Sequence, residues 1–203
     1  MNRHTRIASA FAAAATIGML LASCSEGGKT DQGDAAADPT SETKTAAPAP
    51  AEYIDDTWTF DYQGATGTFK LSGDPTNADA AAVEAARATV DGEPVTLVPV
   101  EIDNTAGTGS INMYGITVVT KDGQQIESVD LADKFSSWED AAGDDVDKYN
   151  ALIDANNKYA LFDLAAGAKG TALVAFDQPV TSAWRVTVMP SGGFDEVEAS
   201  PAK

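Results

Sequence analysis

Carboxylates, three tryptophans, one cysteine and one histidine are the chemically distinctive side chains of this 203-residue chain, and their positions restrict what it can do. Both His4 and Cys24 lie in the first 24 residues, so everything after Cys24 has neither imidazole nor thiol. Serine–histidine and cysteine–histidine nucleophile pairs, histidine-ligated zinc, disulfide exchange and cysteine-ligated iron–sulfur clusters therefore lack their essential groups there. Carboxylate, serine, lysine and tyrosine chemistry is what remains. Glu139, Asp140, Asp144, Asp145 and Asp147 crowd into one short stretch and are the candidate ligands for a divalent cation, since calcium takes hard oxygen donors at such density. Against this, Asp144, Asp145 and Asp147 suit the first turn of a helix, where acids interact favourably with the macrodipole, and Gly143 is not placed as in an EF-hand loop. Trp138, between Ser137 and Glu139, is the candidate ligand-binding aromatic, beside carboxylates as in sugar-stacking sites. The more frequent role of a lone tryptophan is to anchor a core. A glycosidase needs two carboxylates about 5–10 Å apart across a cleft. With 31 acids some pair meets that by chance, so no catalytic residue is assigned. Neither a bound metal nor a cofactor is expected.

Cys24 has a context of its own. Arg3 and Arg6 precede an apolar run from Ile7 to Leu21 interrupted by Ser9, Thr16 and Gly18, and small residues follow up to the cysteine. That is the order of a secretory signal, and the run falls short of the roughly 20 residues a spanning helix needs. Leu21-Ala22-Ser23-Cys24 resembles the lipobox of bacterial lipoproteins. The resemblance implies diacylglycerol on the Cys24 thiol, cleavage after Ser23, and residence on the extracytoplasmic face of the cell membrane through the lipid anchor. Cleavage there would remove two arginines and no acid, leaving 11 basic residues against 31 acidic ones. So acidic a surface repels polynucleotides and anionic headgroups, and nucleic acid is not an expected partner. Residues 24–51, rich in Ala, Pro, Asp and Thr, carry no large apolar side chain after the cysteine. They are expected to form a disordered tether of about 30 Å.

The elements that must position any site follow. Trp58, Phe60 and Tyr62 alternate with polar residues, and Gly64-Ala65-Thr66-Gly67 supplies a turn, so a hairpin is expected over 57–71. Asn77 or Asp79 caps a short alanine-rich helix in 76–89. Val98, Val100 and Ile102 share a strand face, with Pro99 suggesting an edge or a bulge. Tyr114, Ile116 and Val118 repeat the alternation, and Lys121-Asp122-Gly123-Gln124 turns the chain into a strand over 126–131. Residues 144–160 read as a helix with Val146, Tyr149, Leu152, Ile153 and Tyr159 on one face. Strands at 171–176 and 183–189 complete the pattern, the latter with Trp184, Val186 and Val188 inward. Trp58 and Trp184 are expected in the core.

The pieces Val95-Thr-Leu-Val-Pro-Val-Glu-Ile-Asp-Asn104, Ile116-Thr-Val-Val-Thr-Lys-Asp-Gly123 and Ala166-Gly-Ala-Lys-Gly-Thr-Ala-Leu-Val-Ala-Phe176 before Pro179 resemble the immunoglobulin-like domains of secreted antigens and lipoproteins of Gram-positive bacteria. A strand ending in asparagine, a later Asp-Gly turn, and a glycine turn leading into an apolar strand carry the likeness. The fold expected is mainly β, an immunoglobulin-like antiparallel β-sandwich over 52–195 with one or two short helical insertions. A signal peptide (1–23) and the tether precede it, and a disordered tail (196–203) follows. The expected function is display of this acidic domain by a membrane-anchored lipoprotein for contact with a protein or cell-wall partner, without catalysis. Two alternatives remain open: a binding module for a small ligand or divalent cation, and a carboxylate-based hydrolase of wall glycans.

Overall fold

The computed structural model describes residues 53–192 and 194–202, so the expected signal peptide with Leu21, Ala22 and Ser23, Cys24 and the whole of the expected tether lie outside the described residues. Hairpin β1 (Trp58–Tyr62) and β2 (Ala65–Phe69) turns through Gln63 and Gly64, whose φ values of 48° and 88° are the paired positive angles of a two-residue turn matched to strand twist. Helix α1 (Ala78–Ala88) is capped by Asn77, whose side-chain oxygen accepts from the amides of Asp79 and Ala80 at 3.0 Å. Strands β3 (Thr96–Asp103), β4 (Gly115–Val119) and β5 (Gln125–Glu127) follow, then helices α2 (Leu131–Ala141) and α3 (Val146–Tyr159). Strands β6 (Lys169–Phe176), β7 (Arg185–Ser191) and β8 (Asp195–Pro201) close the chain.

All eight strands join in one antiparallel sheet of order β5-β4-β7-β8-β1-β2-β3-β6. β8 links its two halves, pairing with β7 from Asp195 to Ala199 and with β1 through Ser200 and Pro201. The outer strands β5 and β6 curl towards each other until Val129, just after β5, donates its amide to the Ala175 carbonyl at 2.7 Å. The sheet is therefore nearly a closed barrel. Trp58, Phe60, Val98, Val118, Val174 and Val188, drawn from five strands, fill its interior. The outer face of β3 and β6 is covered as well. Leu97, Leu173 and Ala175 pack beneath Val83 of α1, Phe135 and Trp138 of α2, and Leu152 of α3. Two buried faces explain why these strands read as almost unbroken apolar runs.

The mainly β class is as expected, and several details differ. Pro99 belongs to an interior strand, since β3 pairs with β6 along its whole length. It is tolerated because β2 stops at Phe69, opposite Val100, just short of it. The strand expected over 126–131 ends at Glu127, and a helix without a counterpart in the sequence reading, α2, begins at Leu131 with Asp130 as its cap. Leu131, Phe135, Trp138 and Ala142 recur at helical spacing and are all buried. On α3 only Leu152 and Ala155 are buried, while Val146 and Tyr149 of the expected inner face lie in solvent at its first turns. Trp184 is 58 % exposed, because β7 begins only at Arg185 and the residue before it falls outside the core's alternation. Residues 196–201 are strand, not tail: Val197 and Ala199 turn inward between acidic neighbours.

The lower end of β3 is tied to β6 by charge. Lys169 Nζ lies 2.6 Å from Asp103 Oδ2, and Thr105 donates its hydroxyl and amide to Oδ1 at 2.6 and 3.1 Å. The Lys169 contact, then the two from Thr105, hold the Asp103 carboxyl at about 2. A carboxyl whose folded value lies below its unfolded one, about 3.9, contributes stability above the unfolded value and loses it as pH falls. Thermal melts of Asp103→Asn are therefore expected to show a shallower loss of stability between about pH 4 and pH 2 than the parent chain. Superimposable profiles would refute the assignment.

Candidate functional site

The one-bridge contact between β5 and β6 leaves a seam. Because Ala175 turns its carbonyl outward to Val129, the two-residue period of the ladder turns the backbone groups of Leu173 and Thr171 outward too. No described strand pairs with that edge of β6, and no described backbone group bonds to these two residues there. A cleft of about 290 Å³ opens beside Leu173, between the start of α2, the segment leading into β4, and the segment 160–163 that leaves α3.

Each wall has a local cause. Asn112 and Met113 both donate their amides to the Pro190 carbonyl, at 2.9 and 3.2 Å, and Tyr114 donates to the Met189 carbonyl at 2.8 Å. This clamp onto β7 puts Met113 in the left-handed region, φ 49°, which is costly for a side chain of its size and shifts the strand's parity by one. Met113 is therefore buried in the core, and Tyr114, expected to share the face of Ile116, stands 61 % exposed at the cleft mouth. Leu161, 68 % exposed, is a second apolar side chain on the rim, and Phe162 beneath it packs against the barrel interior.

Two carboxylates complete the lining. Asp130 accepts from the Ala132 amide at 2.8 Å as the cap of α2, and Asp163 accepts from Asn112 Nδ2 at 3.2 Å. Neither is in an ion pair among the described residues, and no lysine or arginine lines the cleft. An apolar floor, two rim carboxylates and an unpaired strand edge equip it to bind, through burial, charge and backbone hydrogen bonds.

The residues singled out in the sequence lie elsewhere. Trp138 is 1 % exposed, its ring edge-to-face with Phe135 at 5.0 Å and its indole N–H donated to the Glu93 carbonyl at 3.2 Å. It anchors a core and has no free face for a sugar. Asp145 caps α3 by accepting from the Lys148 amide, Asp147 follows in its first turn, and Glu139 accepts from Asn156 of α3 at 3.3 Å. Asp140 sits in the last turn of α2 and Asp144 in the connection between the helices. Among the described residues no three acidic side chains converge as cation ligands would. These acids end and join helices. Asp130, Asp163, Tyr114 and Leu161 carried no joint signal in the sequence, since nothing local brings positions so far apart together. Comparison with protein-family models, with curated proteins and with solved structures found no match for this chain.

Proposed function

We propose that this chain is an extracytoplasmic lipoprotein, anchored by lipid on Cys24, that displays an acidic immunoglobulin-like β-sandwich for contact with a protein or cell-wall partner and performs no catalysis. The observation that carries the anchor is the placement of the only cysteine directly after an apolar run and Leu21-Ala22-Ser23. The strand order supports the immunoglobulin-like reading. Taken as strands A, B, C, C′, E, F and G, β2 to β8 give the groupings A-B-E and C′-C-F-G, which is how such domains divide their strands. On that reading β1 is an additional strand joining A to G, α1 lies between A and B, and α2 with α3 fills the C′–E connection. A formal charge of −18 favours cationic partners. The seam cleft supports the alternative of a small-ligand module.

Fractionation of cells tests the anchor. Cys24→Ala is expected to move the protein out of the membrane fraction, or to leave an uncleaved precursor, because no other residue can take the lipid thioether. Membrane retention of a processed Cys24→Ala chain would refute it.

A further inference from the structure

We infer that the seam cleft takes an extended peptide segment bearing alternate basic and apolar side chains, which pairs with the free edge of β6. The inference rests on the reading above, that the domain is displayed for contact with a partner. Unpaired strand edges invite pairing with another chain and are ordinarily shortened, charged or covered. Here Thr171 and Leu173 turn outward backbone groups that pair with no other backbone group among the described residues, Leu173 in the cleft and Thr171 in the pocket adjoining it, and neither of these two side chains carries a charge. Successive outward groups on one edge are about 7 Å apart, the spacing that an incoming strand repeats and a compact small molecule does not.

The side chains specify the occupant. Every second residue of an added strand would face the cleft, where Met113, Leu131 and Phe162 offer apolar contact below the rim. Residues nearer the mouth would meet Tyr114 and Leu161, and the carboxylates of Asp130 and Asp163, neither ion-paired among the described residues; Lys158 lines the adjoining pocket at Thr171, so the basic side chains belong at the Leu173 end. Lysine or arginine fits there, and an acidic segment is repelled. A second copy of this chain is the poorer occupant, since a twofold interface would bring the same carboxylates of two strongly acidic molecules together.

The full chain in detergent micelles, titrated with synthetic ten-residue peptides by fluorescence anisotropy, gives the test. A Lys-Val alternating peptide is expected to bind, with a Glu-Val peptide and a Lys-Val peptide N-methylated at every backbone amide at least about tenfold weaker, the first by charge and the second by loss of backbone donors. Asp130→Asn with Asp163→Asn is expected to weaken the Lys-Val peptide about tenfold, with asparagine preserving the cap of α2. Tyr114→Ala, at an exposed position, gives a second variant that leaves the fold intact. Hydrogen exchange should show the Thr171 and Leu173 amides protected by peptide. Equal binding of all three peptides, indifference to these substitutions, or binding without protection of the two amides would each overturn the proposal. So would protection that follows protein concentration without peptide, which would make the occupant a second copy. Cys24→Ala should bind the peptide unchanged, so failure of the anchor and failure of the cleft are read in different assays.

Discussion

Asn104→Ala is expected to lower the unfolding free energy by about 2–3 kcal/mol in urea denaturation. Asn104 is 0 % exposed at the end of β3. Its Nδ2 reaches three carbonyls, those of Gly109 at 2.9 Å, Ala165 at 3.1 Å and Leu164 at 3.2 Å. Its own carbonyl accepts from the amides of Gly107 at 3.1 Å and Gly167 at 2.8 Å, so one residue ties the β3–β4 connection to the turn before β6. Removing the amide strips the Gly109 carbonyl of its protein donor, at about 1–3 kcal/mol, and takes one of two donors from the Leu164 and Ala165 carbonyls, which keep the Ile111 and Ala168 amides. Gly107 packs so closely that a Cβ there would lie 1.6 Å from Asn104 Oδ1, which leaves little room to collapse around the gap. Asn104→Asp discriminates further. A carboxylate facing three carbonyls is destabilised, so its folded pKa is raised above the unfolded value of about 3.9. The folded state then holds its proton more tightly, and stability must fall as pH rises past 4. The aspartate variant should therefore be more stable at pH 4 than at pH 7, opposite to the acid-side trend of the salt-bridged Asp103. A variant with parent-like stability at both pH values would show that the three bonds contribute little.

Trp138→Ala is expected to cost about 3–5 kcal/mol, while Trp184→Ala changes stability by no more than about 0.5 kcal/mol. The residue type is the same and the surroundings are opposite. Trp138 lies among Phe135, Leu152 and Val83 between α2 and the outer face of the sheet. Gly92 packs so near its ring that a Cβ would come within 2.3 Å of Cδ1. Truncation would leave a large void and strand the Glu93 carbonyl that accepts its N–H. Trp184 precedes β7 with most of its surface in water, held by its backbone amide on the Val119 carbonyl at 2.7 Å, a bond that alanine keeps. Urea midpoints of the two variants measured together decide the matter, and equal losses would show that α2 does not seal a core of its own.

How far the chain is legible differs from element to element. The β1–β2 hairpin is plain in the alternation of Trp58, Phe60 and Tyr62 and in its turn, because such chemistry is settled within a dozen residues. Asn77 is legible as a cap for the same reason. Helix α2 is hidden. Ile126 to Leu131 alternates well enough to pass for strand, and the helical spacing of Leu131, Phe135, Trp138 and Ala142 starts inside that run. β8 is hidden differently, since Glu196, Val197, Glu198 and Ala199 offer small apolar residues whose inward period matters only with β7 on one side and β1 on the other. The candidate site was the least legible part. Tyr114 is turned out by a left-handed Met113 clamped on Pro190, and Asp130 and Asp163 line one cleft only because Val129 bridges to Ala175 and Leu164 to Ile111.

By itself the sequence determined the mainly β class, the helix cap at Asn77, the turn chemistry, the strong negative charge and the absence of histidine and thiol after Cys24. Each is a property of composition or of neighbours along the chain. Only the tertiary structure decided which tryptophans are buried, that β8 joins the two halves of the sheet, and that the β5 and β6 ends of the sheet meet through the single Val129–Ala175 bridge. Burial depends on what stands across the core, and a free edge on which strands fail to meet. Those are long-range pairings, to which periodicity along the chain is blind.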